Sequence, residues 1–300
     1  MNRADHLHRS QKLREHNAPF ELGRLRIRPA REIERRNWNA LTGIQTGKLD
    51  DSKSMWSAGA LFKATDRISV YYGHSTNGNP TIVNKTQALW RDDVQDEFGV
   101  KTEFMDKRLS FNAAYFEISQ TNVTVPNPAY QTDPTQPQTL ISDLSNKGFE
   151  FELMGRLTPN LSVIATYSHL KMRDALGRMV RAVADNNAAM LLHYRFLDGA
   201  AKNLSLSLGV TYSDKRAGDI PDGNFTQLNV VKKVSYYLKP QYLTMAAANY
   251  RLNRNWSLQL NVDNLFDDHD YISVAGGRIT GTGLTTEPGI NFRFTTRYDF

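Results

Sequence analysis

Four consecutive residues, Asp267-Asp268-His269-Asp270, bring together three carboxylates and an imidazole, oxygen and nitrogen donors suited to a hard or borderline metal ion. They directly follow an apolar-alternating segment and open a long polar stretch. The preferred reading is therefore a solvated loop, and no metal site is expected. Glu150 and Glu152 make a second acidic pair. Two apart in an alternating segment, they share one face, where carboxylates serve either as acid and base or as lining for a wet interior. The lining reading is preferred. His6 and His8 could share a metal, but they sit in a charged arm with no apolar pattern to position them. No Ser/His/Asp arrangement stands out, and the absence of cysteine removes disulfides and thiolate ligands. The expectation is no catalytic residue, no cofactor and no enzyme activity.

What positions these groups is a repeating pattern of strands. The chain has 300 residues, 40% apolar and 23% charged, with mean hydropathy −0.52. No stretch approaches the ~18 consecutive apolar residues that a membrane-spanning helix needs. A transmembrane β-barrel tolerates this composition, because only alternate residues of its strands meet lipid. The net charge of +6 is concentrated at one end. Residues 1–40 hold ten Lys/Arg against five Asp/Glu, and the remainder holds 27 against 26. Met1 to Phe20 lacks the apolar run of an export signal, which makes a fragment or a misassigned start the expected explanation.

From Ser54 onward about eleven segments alternate apolar and polar: Met55–Ala64, Ile68–Ser75, Gln95–Met105, Arg108–Thr121, Lys147–Leu157, Leu161–Met172, Ala188–Phe196, Leu204–Tyr212, Gln241–Leu252, Trp256–Leu265 and Gly289–Phe300. Most approach the ~9–11 residues of a tilted membrane strand. Tight turns at 65–67, 106–107, 158–160 and 253–255, and a slightly longer one at 197–203, alternate with long polar stretches near 76–94, 122–146, 173–187, 213–240 and 266–288. Short turns on one rim and long loops on the other are the layout of an outer-membrane barrel. Leu204, Leu206, Leu208, Val210 and Tyr212 oppose Ser205, Ser207, Gly209 and Thr211, giving each segment one greasy and one polar surface. Tyr72, Tyr115, Tyr167, Tyr212, Tyr250 and Trp256 lie near segment ends, where barrels carry aromatic girdles. The adjoining Tyr115-Phe116 suggests a bulge.

The final segment places Phe292, Phe294, Thr296, Tyr298 and Phe300 on one face. It resembles the carboxy-terminal signal that the barrel assembly machinery reads in bacterial outer-membrane proteins, with Phe292, Phe294, Tyr298 and Phe300 as its apolar positions. Asn261-Val262-Asp263-Asn264-Leu265-Phe266-Asp267 with Tyr271, Glu97-x-Gly99-x-Lys101-x-Glu103, and Lys147-Gly148-Phe149-Glu150-Phe151-Glu152 followed by Leu161–Ser168 appear in order, with Asn122-Val123 after Ile118. These motifs resemble those of TonB-dependent outer-membrane receptors, most closely the siderophore-receptor branch, from about residue 54 to 300.

The resemblance implies an all-β, antiparallel transmembrane barrel, here about eleven strands or half of a 22-stranded barrel with a plugged lumen. Residues 1–53 are then a basic non-barrel arm or strand remnant, and 54–300 the carboxy-terminal part of the barrel. Function would be uptake of iron-siderophore or similar nutrient complexes, with outer-membrane lipid and the barrel assembly machinery as partners. The TonB complex becomes a partner only if a plug is supplied elsewhere. The chain alone is not expected to transport, since an odd strand count leaves unpaired edges in lipid. Trp90, Tyr130, Tyr236 and Tyr237 in the outer loops are candidate ligand contacts. In the arm, Arg24, Arg26 and Arg28 alternate with Leu25 and Ile27 before Pro29, and Arg31–Trp38 suggests a helix; no nucleic-acid-reading motif accompanies the charge. Two rivals stand beside this reading. One is a passive twelve-stranded pore closed by a strand from residues 40–50, the other a soluble carbohydrate-binding β-sandwich.

Overall fold

The structure, a computed structural model, describes residues 20–22, 26–38, 45–82, 88–126, 135, 139–175, 177, 179–218, 236–275 and 283–300. Among these there is no helix. The strands in chain order are β1 (Phe20–Leu22), β2 (Arg26–Trp38), β3 (Gln45–Lys63), β4 (Ile68–Ile82), β5 (Ala88–Phe104), β6 (Leu109–Pro126), β7 (Thr139–Arg156), β8 (Leu161–Asp174), β9 (Asn186–Arg195), β10 (Leu204–Ser213), β11 (Arg216–Ala217), β12 (Tyr237–Leu238), β13 (Gln241–Arg251), β14 (Trp256–Asp263), β15 (Tyr271–Ala275), β16 (Gly283–Thr286) and β17 (Asn291–Tyr298).

One antiparallel sheet of 13 strands contains all eleven expected segments, running β3 to β10 and then β13, β14 and β17. β11–β12 and β15–β16 are separate two-stranded hairpins in the long loops. A further place in the sheet is taken by residues from the basic arm. β1 pairs with Ala60–Phe62 of β3, and β2 pairs with Gln45–Ser57 of the same strand. End to end, β1 and β2 are thus one interrupted ribbon, and the sheet has twelve places. Three expectations change accordingly. Arg31–Trp38 is strand and not helix, because pairing with β3 overrides a local helical preference. A boundary at Ser54 would fall inside β3. Residues 45–50 belong to β3 and form no extra closing strand. Among the described residues no pairing joins β17 to β1 or β2.

Three of the tight turns share one device. Thr65 Oγ1 accepts the amides of Arg67 (3.2 Å) and Ile68 (3.0 Å), Thr158 Oγ1 those of Asn160 (3.3 Å) and Leu161 (3.0 Å), and Asn253 Oδ1 those of Asn255 and Trp256 (both 2.9 Å). A short side-chain oxygen replacing a backbone partner is why Thr and Asn favour such turns. The fourth turns through positive φ at Met105, Asp106 and Lys107, as a right-twisted hairpin requires. At the opposite rim β4–β5 and β6–β7 stay paired far beyond the expected ends, out to Ile82↔Ala88 and Pro126↔Thr139. The stretches read as loops near 76–94 and 122–146 are largely tall hairpins. Register is continuous through Tyr115 and Phe116, which simply point to opposite faces; the irregularity falls at Gln120–Val123, where Asn122 takes positive φ.

The two faces differ in kind. Large apolar side chains stand exposed on one of them, including Phe98 (54%), Leu208 (49%) and Phe294 (65%). A soluble sandwich would bury that face against a second sheet, and no such sheet is present among the described residues. The other face is concave and polar, and residues from β4 to β13 line a cleft on it.

Candidate functional site

The cleft holds about 630 Å³ and is lined mainly by one residue parity of eight strands, among them Tyr71, Glu97, Lys101, Asn112, Glu150, Glu152, Thr166, Ser168 and Asn187. Glu150 and Glu152 therefore share the concave face, as lining side chains. Its most constrained part involves β4 and β5. Tyr71 donates its hydroxyl to Glu97 Oε1 at 2.5 Å, Gln95 donates to Glu97 Oε2 at 3.1 Å, and Lys101 Nζ sits 4.9 Å from the Tyr71 ring centroid. The ring crosses Gly99: a Cβ there would come within 2.4 Å of Tyr71 Cε1. The Glu-x-Gly-x-Lys spacing is the seat for that ring, with a bare backbone against it, an acceptor at its hydroxyl and a cation over the ring.

At the long-loop rim, three connections are tied to one another. Ala182 donates its amide to the Ala217 carbonyl (2.9 Å), and Ala184 bridges to Arg216, joining the β8–β9 and β10–β13 connections. Gln241 Nε2 reaches Glu287 Oε2 (3.4 Å), joining the latter to the β14–β17 connection. Ala184, Arg216, Ala217 and Leu238 are among the most buried described residues. Burial pushes the Arg216 guanidinium pKa down, and Asp270 opposes the shift. Arg173 holds Asp185 through both terminal nitrogens (3.3 and 3.2 Å). Asn186 donates to Asp214 at 2.8 Å, the largest influence holding that carboxyl below its ordinary range.

The acidic cluster at 267–270 works as a staple. Asn264, buried and at φ 52°, donates through Nδ2 to the carbonyls of Asp268 (2.7 Å) and Pro288 (2.9 Å) and accepts the Asp268 amide (2.8 Å). Asp267 accepts the Ile290 amide (2.8 Å) and lies 3.3 Å from His269 Nε2. The Asn-Leu-Phe-Asp motif thus pins the start of the last loop to its end.

Of the proposed ligand contacts, Tyr236 and Tyr237 are neighbours in the β10–β13 connection, and Trp90 lies on a different strand. Trp90 is on β5, and its indole N–H is committed to Asp51 Oδ2 at 2.7 Å. Tyr236 donates to the Gly218 carbonyl (2.8 Å) within the β10–β13 connection. Tyr237 is exposed, with Lys215 Nζ 5.3 Å from its ring centroid. Tyr130 lies outside the described residues, as do His6 and His8. Phe292, Phe294 and Tyr298 face Val262, Leu260 and Trp256 across β14, while Phe300 stacks edge-on against Tyr298 at 5.0 Å. The tyrosine seat and the loop staple carry the family motifs, yet their partners, Tyr71 and Pro288, are remote in sequence.

A single antiparallel sheet, greasy outside and polar within, with tight turns on one rim and packed loops on the other, is the wall of a β-barrel of the membrane-receptor kind. The chain belongs to the TonB-dependent receptor-like β-barrel family, whose model matches residues 30–265. It is 26% identical over 270 residues to the ferripyoverdine receptor of Pseudomonas aeruginosa, aligning 87% of this chain with 32% of that one. With the probable TonB-dependent siderophore receptor PiuA of Acinetobacter baumannii it is 26% identical, over 83% of this chain and 35% of the other. With the ferrioxamine B receptor of Salmonella typhimurium it is 27% identical, over 73% and 31%. The chain spans about a third of the length of these relatives. The crystal structure of the Pseudomonas aeruginosa ferripyoverdine receptor bound to ferripyoverdine superposes with TM-score 0.71 at 24% identity, over 90% of this chain and 36% of that one. The fold is shared across that span.

Proposed function

We propose that this chain forms wall and outer loops of an outer-membrane receptor that takes up iron-siderophore or similar nutrient complexes. The observation that carries the reading is the polar cleft on the concave face with tied loops at its rim, in a family whose matched relatives are named for ferric siderophores. Loops would capture the complex first, with Tyr237 and Lys215 offering an aromatic face and a cation at the surface. Coupling to TonB calls for a plug supplied by other sequence. Phe292, Phe294, Tyr298 and Phe300 would present the barrel assembly signal, and the outward apolar face would meet outer-membrane lipid.

Equilibrium dialysis of the refolded chain against radioiron-loaded hydroxamate, catecholate and mixed-ligand siderophores tests the reading. Saturable binding of at least one ferric class, displaced by its unlabelled ferric form, is expected. A folded, detergent-soluble chain that retains none of them overturns it. A passive pore stays in view for one reason: twelve places are an even number, which antiparallel closure permits. Steady conductance of the chain alone in planar bilayers would favour that reading.

A further inference from the structure

We infer that Arg251 and Arg297 form a binding site for a phosphate group on the concave face, at the rim that carries the tight turns. The β13–β14–β17 register sets Arg251, Ser257 and Arg297 side by side in one row. Asn249, Gln259 and Thr295 make the next row on the same face, and both rows line a cavity of about 360 Å³. Arg251 shares the parity of Gln241, which lines the main cleft from the same strand, so the row stands on the wet side of the sheet.

The cavity differs from the main cleft in charge. Glu97, Glu150 and Glu152 accompany Lys101 in the cleft, whereas two arginines and no carboxylate line this cavity. Neighbouring strands lie about 4.8 Å apart, so Arg251 and Arg297 flank Ser257 with their backbones about 10 Å apart. Two long side chains can close that gap on one oxyanion, with the serine hydroxyl beneath it. Arg251 makes no ion pair with a described residue. Arg297 gives its Nε to Asp299 at 2.8 Å, which leaves its two terminal nitrogens for a ligand. Gln259 donates to Asn261 at 2.9 Å, so the hydroxyls of Ser257 and Thr295 are the neutral donors. A guanidinium fork matches the oxygens of a phosphate. A carboxylate offers its lone pairs in one plane, while a tetrahedral phosphate takes donors from both flanks and from below at once. The tight turns of an outer-membrane barrel face the periplasm, so the ligand is a phosphate or phosphate ester of that compartment.

The inference rests on the concave face being wet and not on siderophore uptake. Its test is equilibrium dialysis of the refolded chain in detergent against radiolabelled inorganic phosphate, glycerol 3-phosphate and succinate. Chloride at about 0.1 M screens charges more than about 10 Å away. Saturable retention of a phosphate is expected, with succinate held at least about tenfold more weakly. The tighter of the two phosphates tells a free ion from an ester. R251Q and R297Q should each weaken retention about tenfold, and the double variant more. R251K/R297K should recover only part of it, because lysine lacks the fork. K202Q removes a charge from the same rim outside the cavity and should behave as wild type. Unchanged strand content by circular dichroism keeps a folding defect apart from lost binding. Succinate held as tightly as phosphate, retention unchanged in the folded double glutamine variant, or an equal loss in K202Q each overturns the site.

Discussion

Tyr71 on β4 lies across Gly99 on β5, its hydroxyl held by Glu97 and its ring beneath the Lys101 ammonium. Any side chain at 99 must displace the ring and break its 2.5 Å hydrogen bond. Gly99→Ala is therefore expected to cost about 1–2 kcal/mol, from the lost bond and the disturbed packing. Tyr71→Ala in the same chain should absorb most of that cost, a coupling that a double-mutant cycle on unfolding from lipid vesicles would measure. Additive effects would show that the ring is not what makes glycine necessary.

The lipid-facing assignment makes a sharper demand. Leu208 lies midway between the Tyr212–Tyr242 pair near one rim and the Leu204–Tyr250 pair near the other. Those levels are eight residues apart, about 26 Å along a strand, comparable to the ~25 Å apolar band of an outer-membrane barrel. Leu208→Arg should cost about 2–4 kcal/mol, as expected for a charge at the bilayer midplane. Thr166→Arg, on the concave face, should cost less than about 1 kcal/mol, since the guanidinium stays in water. Similar losses from the two variants in vesicle unfolding would mean the faces are assigned the wrong way round.

Asn264 makes three hydrogen bonds from a buried position, and no other side chain combines its two donors, its acceptor and its tolerance of positive φ. Asn264→Ala should lose about 2–3 kcal/mol locally. The readout is limited proteolysis, with new cleavage between residues 266 and 290 while strands stay protected. Cleavage unchanged from wild type would show that the loop is held by something else.

The same staple predicts a pH dependence. The Ile290 amide, and secondarily His269, hold the Asp267 carboxyl below its ordinary value of 3.8. A carboxyl whose folded pKa is lowered contributes fully above the unfolded value, and the contribution fades as pH falls through the folded one. The loop should therefore resist pepsin at about pH 5 and loosen progressively below about pH 4. Asp267→Asn should remove that dependence. A wild-type cleavage profile that is flat across this window would contradict the assignment.

How much of this was readable in the residues depends on how many faces of a strand are wet. The eleven alternating segments announced themselves because lipid on one side and water on the other impose a period of two. The upper parts of β4–β5 and β6–β7 carry polar residues on both sides, so Thr76 to Pro80 and Asp143 to Asn146 offered no period and resembled loops. β2 was hidden differently: Pro29 and a charged run from Arg31 to Arg36 mimic a broken helix until β3 pairs with them. Gly99 and Asn264 stood out within motifs, but the ring over one and the carbonyl beyond the other lie 28 and 24 residues away, and local spacing cannot name such partners.

Among the loop aromatics the structure sets Tyr237 apart from Trp90 and Tyr236, while Tyr130 lies outside the described residues. Trp90 is tied to Asp51 and Tyr236 to Gly218, so neither can turn toward a ligand without giving up a hydrogen bond. Tyr237 is exposed, its ring already carrying the Lys215 cation on one side. If ferric complexes are captured at this surface, Tyr237→Ala should weaken binding about tenfold, the size of a typical aromatic hot spot. Trp90→Phe should leave binding within about twofold while lowering stability by about 1 kcal/mol through the lost indole bond. Dialysis and thermal unfolding of the two variants separate these effects. The reverse order, with Trp90→Phe abolishing capture and Tyr237→Ala silent, would move the binding surface to the tall β4–β5 hairpin.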